Sequence, residues 1–381
     1  MFDEKDVLTC IGSDADASEY HGSILPPIAQ ASLFRKSSAK ELHESLKREN
    51  KDFVYSRGTN PTVKVLEERL AALERGEACK CFASGIAAIS AVFMGLLKAG
   101  DHILFINNIY GPTIQLAEML DSFGITHTSV LGDEITGFED LIRPETALIY
   151  FESPGTMLFD LVPIAEIVSA ARKRGILTCI DNSVSTPLFQ KPLNLGVDLV
   201  VHSCTKYIGG HSDVVGGALI TNNDLLERIF FRSYLLLGGI MSPHDAWLML
   251  RGLMSLPNRL KQVQADALEI AKFLDSHPGI RKVHHPLIES NPLLDEQMTG
   301  HTGLFSAEID VKGFDELCGF VDRLELFGKA VSWGGVESLV IPSFGFDDES
   351  NPTPLPTNLV RFSIGLEGAE TLISDLESAL E

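Results

Sequence analysis

The chain has 381 residues, 45% of them hydrophobic and 22% charged, and a net charge of −21. That is an ordinary globular composition, with length for two domains and a sizeable core. The acidity argues against a broad basic surface for nucleic acid, and no apolar run reaches the roughly 18–20 residues that span a bilayer. The opening Met1-Phe2-Asp3-Glu4-Lys5-Asp6 is acidic and polar, unlike a signal peptide, so a cytoplasmic protein is expected. Cys10, Cys79, Cys81, Cys179, Cys204 and Cys318 are expected as structural thiols without disulfides in a reducing compartment. Cys79 and Cys81 stand too close for half of a usual zinc pair, and the histidines show no metal-ligand spacing, so no metal is expected.

Residues 1–60 read as irregular, with turn residues Gly22, Pro26, Pro27 and Gly58 and little periodicity. An arm of this length is either loose or packed on a partner. Asn60 then caps a helix and Pro61 suits its first turn. Val63, Leu66, Leu70 and Leu73 fall on one face, and Gly76 stops it. A second helix is predicted over 84–98. Strands are predicted at 102–106, 125–130, 147–151, 176–180, 199–202 and 218–221, with helices at 113–123 and 164–174 between them. Continuous apolar strands alternating with amphipathic helices predict an α/β fold, with a mostly parallel sheet covered on both faces. Ligands of such sheets bind beyond the carboxyl ends of the strands. A long helical region over 243–277, interrupted near Pro257, leads into a smaller α+β part. That part has strands at 304–309 and 359–362 and helices at 314–324 and 369–380. His284-His285 reads as a surface pair in a loop. The expected division is an N-terminal arm (1–52), a large domain (53–243), and a linker helix with a small C-terminal domain (244–381).

The stretch Ser203-Cys204-Thr205-Lys206-Tyr207-Ile208-Gly209-Gly210 places one lysine where a strand gives way to hydroxyl residues and glycines. A lysine there suits a Schiff base with a phosphate-bearing aldehyde, pyridoxal phosphate. That cofactor also needs a carboxylate on its ring nitrogen, a ring-stacking partner and a phosphate cup. Asp181, ending the strand at 176–180, is the candidate carboxylate. Tyr110, between a strand and a helix, is the candidate stacking ring. Ser84-Gly85-Ile86 opens a helix whose free amides suit a phosphate.

The order and context of these motifs resemble the Cys/Met-metabolism family of pyridoxal-phosphate enzymes, which includes the cystathionine γ-synthases, β-lyases and γ-lyases and methionine γ-lyase. The resemblance runs from about residue 20 to the C-terminus. It is carried by Tyr55-Ser56-Arg57-Gly58-Thr59-Asn60-Pro61-Thr62, Ala83 to Ala88, Asp181-Asn182-Ser183, Ser203 to Asp213, Leu250 to Leu253, Ser332 to Leu339 and Leu359 to Glu367. It implies the fold-type I pyridoxal-phosphate transferase fold. It also implies that Tyr55 and Arg57 reach the cofactor phosphate of a neighbouring subunit, in a homo-oligomer that is usually a dimer of dimers. Ser203, Thr205 and the Gly85 and Ile86 amides would hold the phosphate. Arg361 would pair with the substrate α-carboxylate, with Ser332 beside it, and Lys206 would serve as general base and acid.

Within the family, Gly155-Thr156, Thr299 to Ser306 and Trp333 resemble the β-lyase branch, which implies elimination of homocysteine from cystathionine. Val331 stands where γ-acting members often have Glu and the bacterial β-lyase Tyr, so it argues against γ chemistry and also removes an aromatic wall. The regions near Tyr234 and Met241 are expected to face the substrate's distal end. γ-Replacement or γ-elimination, and a catalytically silent regulatory relative, are the alternatives.

Overall fold

The computed structural model describes residues 2–12, 20, 22–289, 291–343 and 355–381. Residues 13–19 of the expected arm lie outside that description. The larger sheet has seven strands: β1 (Ala78–Phe82), β2 (His102–Ile106), β3 (Thr126–Val130), β4 (Thr146–Glu152), β5 (Leu177–Asp181), β6 (Leu199–Ser203) and β7 (Gly217–Thr221). Their order is β1-β7-β6-β5-β4-β2-β3. β2 to β6 pair in parallel, and β7 runs antiparallel to both β6 and β1.

Alternate residues of β2 and β4 feed two separate cores, as strand geometry requires. Ile103, Phe105, Leu148 and Tyr150 pack with the helices Gly85–Leu96 and Asn223–Ile229. Leu104, Ile106, Ile149 and Phe151 pack on the other face with Ile164–Arg174. Fully burying a side chain such as Phe105 contributes roughly 1.5–3 kcal/mol, so both faces are strongly specified. The predicted parallel sheet with two covered faces is therefore present, with strand ends within one or two residues of expectation.

A smaller sheet follows: β8 (Ile280–His284), β9 (Leu304–Ile309), β10 (Gly328–Lys329), β11 (Leu339–Pro342) and β12 (Leu359–Ser363), in the order β10-β11-β12-β9-β8. The helix Pro243–Asp275, 33 residues long, packs against both the large-sheet helix Pro61–Glu74 and β8.

Four expectations are corrected. The first 60 residues are not all irregular. Glu4–Ile11 is a helix, capped by Asp3 and ended by left-handed Gly12. Its buried Asp6 bonds Arg75 at 2.7 Å and Lys191 at 2.7 Å, and its Cys10 joins a core with Val63, Leu66 and Leu70. This helix thus packs on its own chain. Ala39–Leu46, capped by Ser38, is the second. Helices of eight residues carry too little periodicity to read, and tertiary contacts hold them.

The long helix is not interrupted at Pro257, which lies inside it. The missing N–H is tolerated because Leu250, Leu253, Leu256 and Leu260 are fully buried there. In the same turn the Gly252 carbonyl accepts from Arg259 Nη2 (2.9 Å) and Ser255 Oγ (3.1 Å).

His284 and His285 are not on the surface. His284 ends β8 and bonds Glu308 at 2.8 Å, while His285 packs edge-on against His301. Burial against a second imidazole pushes His285 well below the ordinary histidine range.

The Tyr234 and Met241 side chains are buried in the core of their own chain and do not line the cavity at the carboxyl ends of β4 to β6. The Tyr234 hydroxyl donates to the Cys81 carbonyl (3.2 Å), and Met241 fills the space beside Gly216. Among the six cysteines, five are buried and all are free thiols. Among the described residues no helix is long and apolar enough to cross a membrane.

Candidate active site

At the carboxyl ends of β4, β5 and β6 lies a cavity of about 200 Å³. It is lined by Ser84, Gly85, Ile86, Tyr110, Glu152, Thr156, Asp181, Ser203, Thr205, Lys206 and Trp333 together with Ile89, Ser183, Val184 and Val215. The position is the one that parallel sheets reserve for ligands.

The anion end is built by close backbone approach. Ser84 caps the helix Gly85–Leu96, its Oγ accepting from Ala87 N–H at 3.1 Å. The amides of Gly85 and Ile86 fall in the first turn and have no intrahelical acceptor. A β-carbon on Gly85 would lie 2.9 Å from Ser203 Cβ, and one on Gly217 only 2.2 Å from the Ser84 carbonyl. Glycine is needed at both for the helix start to press on β6 and β7. Thr205 is held by Gly216, giving Oγ1 to its carbonyl (3.2 Å) and accepting from its N–H (3.0 Å).

Asp181 ends β5. Its Oδ1 accepts from Ser183 N–H (2.9 Å) and Ser183 Oγ (2.5 Å). Ser183 Oγ in turn accepts from Ser203 N–H at 2.6 Å. Among the described residues no hydrogen bond falls on Oδ2, so that oxygen remains for a ligand. Burial pushes the carboxyl up, while the Ser183 bonds and then His202 and Lys206 draw it back down.

Lys206 sits on the turn after β6. Its Nζ donates to Ser332 Oγ at 2.6 Å and lies 4.2 Å over the Trp333 ring. Burial and then the Arg361 guanidinium lower its amine to about 8, so a useful fraction is neutral near physiological pH. The turn is pinned from below. Arg259 Nη2 donates to the Tyr207 carbonyl (2.8 Å) and the Tyr207 hydroxyl accepts from Gly303 N–H (3.1 Å).

Arg361, on β12, is 9% exposed. Its Nη2 donates to the Ser332 carbonyl at 3.0 Å and its guanidinium stands 5.1 Å from the Trp333 ring centre. Ser332 has a left-handed φ of 82° and Gly334 one of 85°. That turn brings Ser332 and Trp333 against Lys206 and leaves Val331 outward, 73% exposed. Val331 does not line the cavity, against the expectation that it faces substrate.

Two other predicted residues stand apart from this cavity. Tyr55 is 47% exposed, and the Arg57 guanidinium lies over the Tyr55 ring at 5.5 Å. Both are exposed residues, and neither lines its own chain's cavity. Tyr110 is at the cavity edge, 41% exposed as a residue.

Glu152 was missed by sequence reasoning. It ends β4 in register with Asp181. Its Oε1 accepts from Tyr110 N–H (2.7 Å) and its Oε2 from Thr156 Oγ1 (2.8 Å). Its signal was available: like Asp181, it is an acidic residue closing an apolar strand at the sheet's carboxyl edge.

The donor set fits pyridoxal phosphate. Free amides and hydroxyls stand at one end, an open carboxylate oxygen at the other, and a partly neutral amine lies between them.

Comparison with known proteins agrees with this geometry. Residues 9–381 match the profile of the Cys/Met metabolism PLP-dependent enzymes. The chain is 36% identical to the cystathionine gamma-lyase of Bacillus subtilis (strain 168) over 374 residues, covering 95% of this chain and 96% of that protein. It is 36% identical over 375 residues to a cystathionine beta-lyase of Lactococcus lactis subsp. cremoris, with 94% of each covered. It is 35% identical over 378 residues to an L-methionine gamma-lyase of Pseudomonas putida, covering 96% and 94%. The crystal structure of metB from Corynebacterium glutamicum superposes with a TM-score of 0.91 at 33% identity, over 98% of this chain and 97% of that one.

Proposed function

The chain belongs to the Cys/Met metabolism PLP-dependent enzymes, and on that premise we propose that it is a carbon–sulfur β-lyase that releases homocysteine, pyruvate and ammonia from cystathionine. Pyridoxal 5′-phosphate is its cofactor; when bound, it supplies an electron sink for the pair left at the substrate Cα. In this reading Gly85, Ile86, Ser203 and Thr205 bind the phosphate, Asp181 Oδ2 holds the ring-nitrogen proton, and Tyr110 stacks on the ring.

The observation that carries the reading is the Lys206 contact set. A lysine amine at about 8, donating to Ser332 Oγ and lying on Trp333, is a base placed for one proton at Cα. Arg361 orients the α-carboxylate by a two-pronged guanidinium contact, with Ser332 beside it. Removal of the Cα proton by Lys206 Nζ and departure of the β thiolate need no second base. The protonated Lys206 then returns its proton to the leaving sulfur or to the nascent product. Gly155, Thr156 and Trp333 favour the β reaction over the γ reactions of several relatives. A β-carbon on Gly155 would lie 2.6 Å from Asn107 Nδ2, so the loop carrying Thr156 is shaped by that glycine.

In the proposed assembly the segment 22–52 packs on a neighbouring subunit and delivers Tyr55 and Arg57 to that subunit's phosphate. The exposed apolar Ile24 and Leu33 support this, as does the absence of a role for Tyr55 and Arg57 in their own cavity. The proposed parts are the arm (1–52), the large domain (53–243) and the linker helix with the small domain (244–381); within the arm, Glu4–Ile11 stays on its own chain. A dimer of such dimers is the proposed state.

Product analysis tests the reaction. Purified holoenzyme given cystathionine should yield pyruvate and homocysteine. Cysteine with 2-oxobutyrate would instead assign a γ-lyase, and cystathionine formed from an acylated homoserine and cysteine would assign a γ-synthase. Release of methanethiol from methionine would point to the methionine γ-lyase reaction.

A further inference from the structure

Two loops meet on Glu152. Asn107, in a left-handed conformation (φ 81°), donates Nδ2 to the Glu152 carbonyl at 2.9 Å and to the Asp160 carbonyl at 2.9 Å. Thr156 N–H donates to the Asn108 carbonyl at 2.9 Å, and Asn108 Nδ2 returns a bond to the Thr156 carbonyl at 2.7 Å. The segments 107–110 and 152–156 are thus laced together, and the Glu152 carboxyl spans them. Tyr110 is the N-cap of the helix Gly111–Asp121 and receives no side-chain cap bond there. Its N–H to Glu152 is what fixes the residue that carries the ring.

We propose that Glu152 is a positioning residue of this site: one carboxyl oxygen fixes the main chain of Tyr110, the other holds the Thr156 hydroxyl, and protonation of that second oxygen reverses the Thr156 bond. In the ionised form Thr156 O–H donates to Oε2. When Oε2 gains a proton from solvent, Oε2–H donates to Thr156 Oγ1. The Thr156 hydrogen is then free to turn toward the cavity, where it can donate to cofactor or substrate. One proton is taken up, no other bond changes, and the Tyr110 N–H contact to Oε1 persists in both forms.

The groups facing Glu152 favour the protonated form. From β5 it meets the Asp181 carboxylate. From the 107–110 segment it meets the Tyr110 amide, and from its own loop the Thr156 hydroxyl, both neutral. The nearest cation lining the cavity, Lys206, comes from the turn after β6 and is not bonded to it. Burial and then the Asp181 charge push its carboxyl up to about 8. Two carboxyls in register cannot both ionise cheaply. The Ser183 donors, and then His202 and Lys206, draw Asp181 back down, so of the two carboxyls Glu152 is the one that holds a proton.

The inference rests on the placement of Tyr110 and Asp181 around the cofactor proposed above. Its test uses the holoenzyme and three variants, read by infrared titration, by circular dichroism of the bound cofactor and by steady-state kinetics. Wild type should show a protonated-carboxyl stretch that disappears on alkaline titration, and Glu152→Gln should lack it. Glu152→Gln keeps an acceptor for Tyr110 and a donor for Thr156, so its cofactor dichroism and neutral-pH turnover should stay within a few-fold of wild type. Glu152→Ala removes the side-chain contacts to Tyr110 N–H and Thr156 Oγ1 and should lower kcat/KM roughly 10- to 100-fold, with a weakened cofactor signal. Thr156→Val should lose activity without disturbing the Tyr110-dependent dichroism. A carboxyl stretch that persists in Glu152→Gln, or a Glu152→Ala enzyme equal to wild type, overturns the proposal. So does a Glu152→Gln enzyme as impaired as Glu152→Ala. Should Glu152→Ala not fold, the Gln and Val variants decide it alone. Failure of the underlying site reading looks different: Lys206→Ala would then keep the visible cofactor band.

Discussion

Two buried acids, Glu67 and Glu152, stand in the same protein under opposite conditions. Glu67 is paired with Lys80 at 3.0 Å, and its other oxygen accepts from Cys81 N–H at 3.1 Å. Lys80 also donates to the Gly58 carbonyl (3.2 Å) and lies over the rings of Phe230 (5.5 Å) and Tyr234 (5.4 Å). Every charge there is matched, and nothing is left to react. Glu152 and Asp181 receive only neutral donors, with Lys206 across the cavity and Arg361 behind it. The first arrangement ties β1 to the helix Pro61–Glu74. The second leaves charge unbalanced where a cofactor and substrate can complete it.

The largest expected effect comes from removing the Lys206 amine. Lys206→Ala should lower turnover by about 10²–10⁴-fold or more and abolish the visible band of the lysine-bound cofactor, while the melting temperature of the apo-protein stays near wild type. Next is the structural pair. Lys80→Met leaves Glu67 buried and uncompensated and should destabilise the protein by about 3–5 kcal/mol in denaturant unfolding. The double variant Lys80→Met/Glu67→Gln should recover much of that loss. If Lys80→Met instead altered the cofactor spectrum at full folding, the contrast between the two regions would fail.

Arg361→Lys keeps the charge and loses the planar fork. It should raise KM by the equivalent of about 1.5–3 kcal/mol, with kcat less affected. A change confined to kcat would remove Arg361 from carboxylate binding.

The smallest effect is on pH-dependent stability. The Glu152 carboxyl is raised from 4.5 to about 8, so the folded state binds its proton more tightly than the unfolded state. Its contribution is fully present below about pH 4.5 and is lost as pH rises through about 8. Apo Glu152→Gln should therefore melt with a flatter pH dependence across that window than wild type. His301 has the opposite sign. Burial lowers it from 6.5 to about 4, so its contribution is present above about 6.5 and is lost as pH falls through about 4. Replacing it with an apolar ring such as Phe should make acid unfolding less steep.

Much of the large sheet was legible because each strand is an unbroken apolar run bounded by helices. The predicted 102–106 strand and 164–174 helix match β2 and Ile164–Arg174. β1 was not legible, since Lys80 breaks its apolar run and only partners distant in the chain, Glu67, the Gly58 carbonyl and the rings of Phe230 and Tyr234, make that lysine acceptable inside. The helix Glu4–Ile11 was hidden for a similar reason: Asp6 is buried only because Arg75 and Lys191 meet it. The long helix was read as broken because proline is a local signal, whereas the packing that carries it through is not.

The chain by itself determined the alternating α/β pattern, the position of Asp181 at a strand end and of Lys206 and Tyr110 on the turns that follow strands, and the family. Those properties follow from local periodicity and from residues that chemistry requires at particular points along the strand order. Tertiary structure decided the partners. It set Glu152 in register with Asp181, turned Val331 outward beside the left-handed Ser332, and placed Trp333 against both Lys206 and Arg361. It also buried His285 and Tyr234. Apart from the local turn at Ser332, each of these is a contact between segments distant in the chain, fixed by strand register and close packing, which no local pattern of residue types encodes.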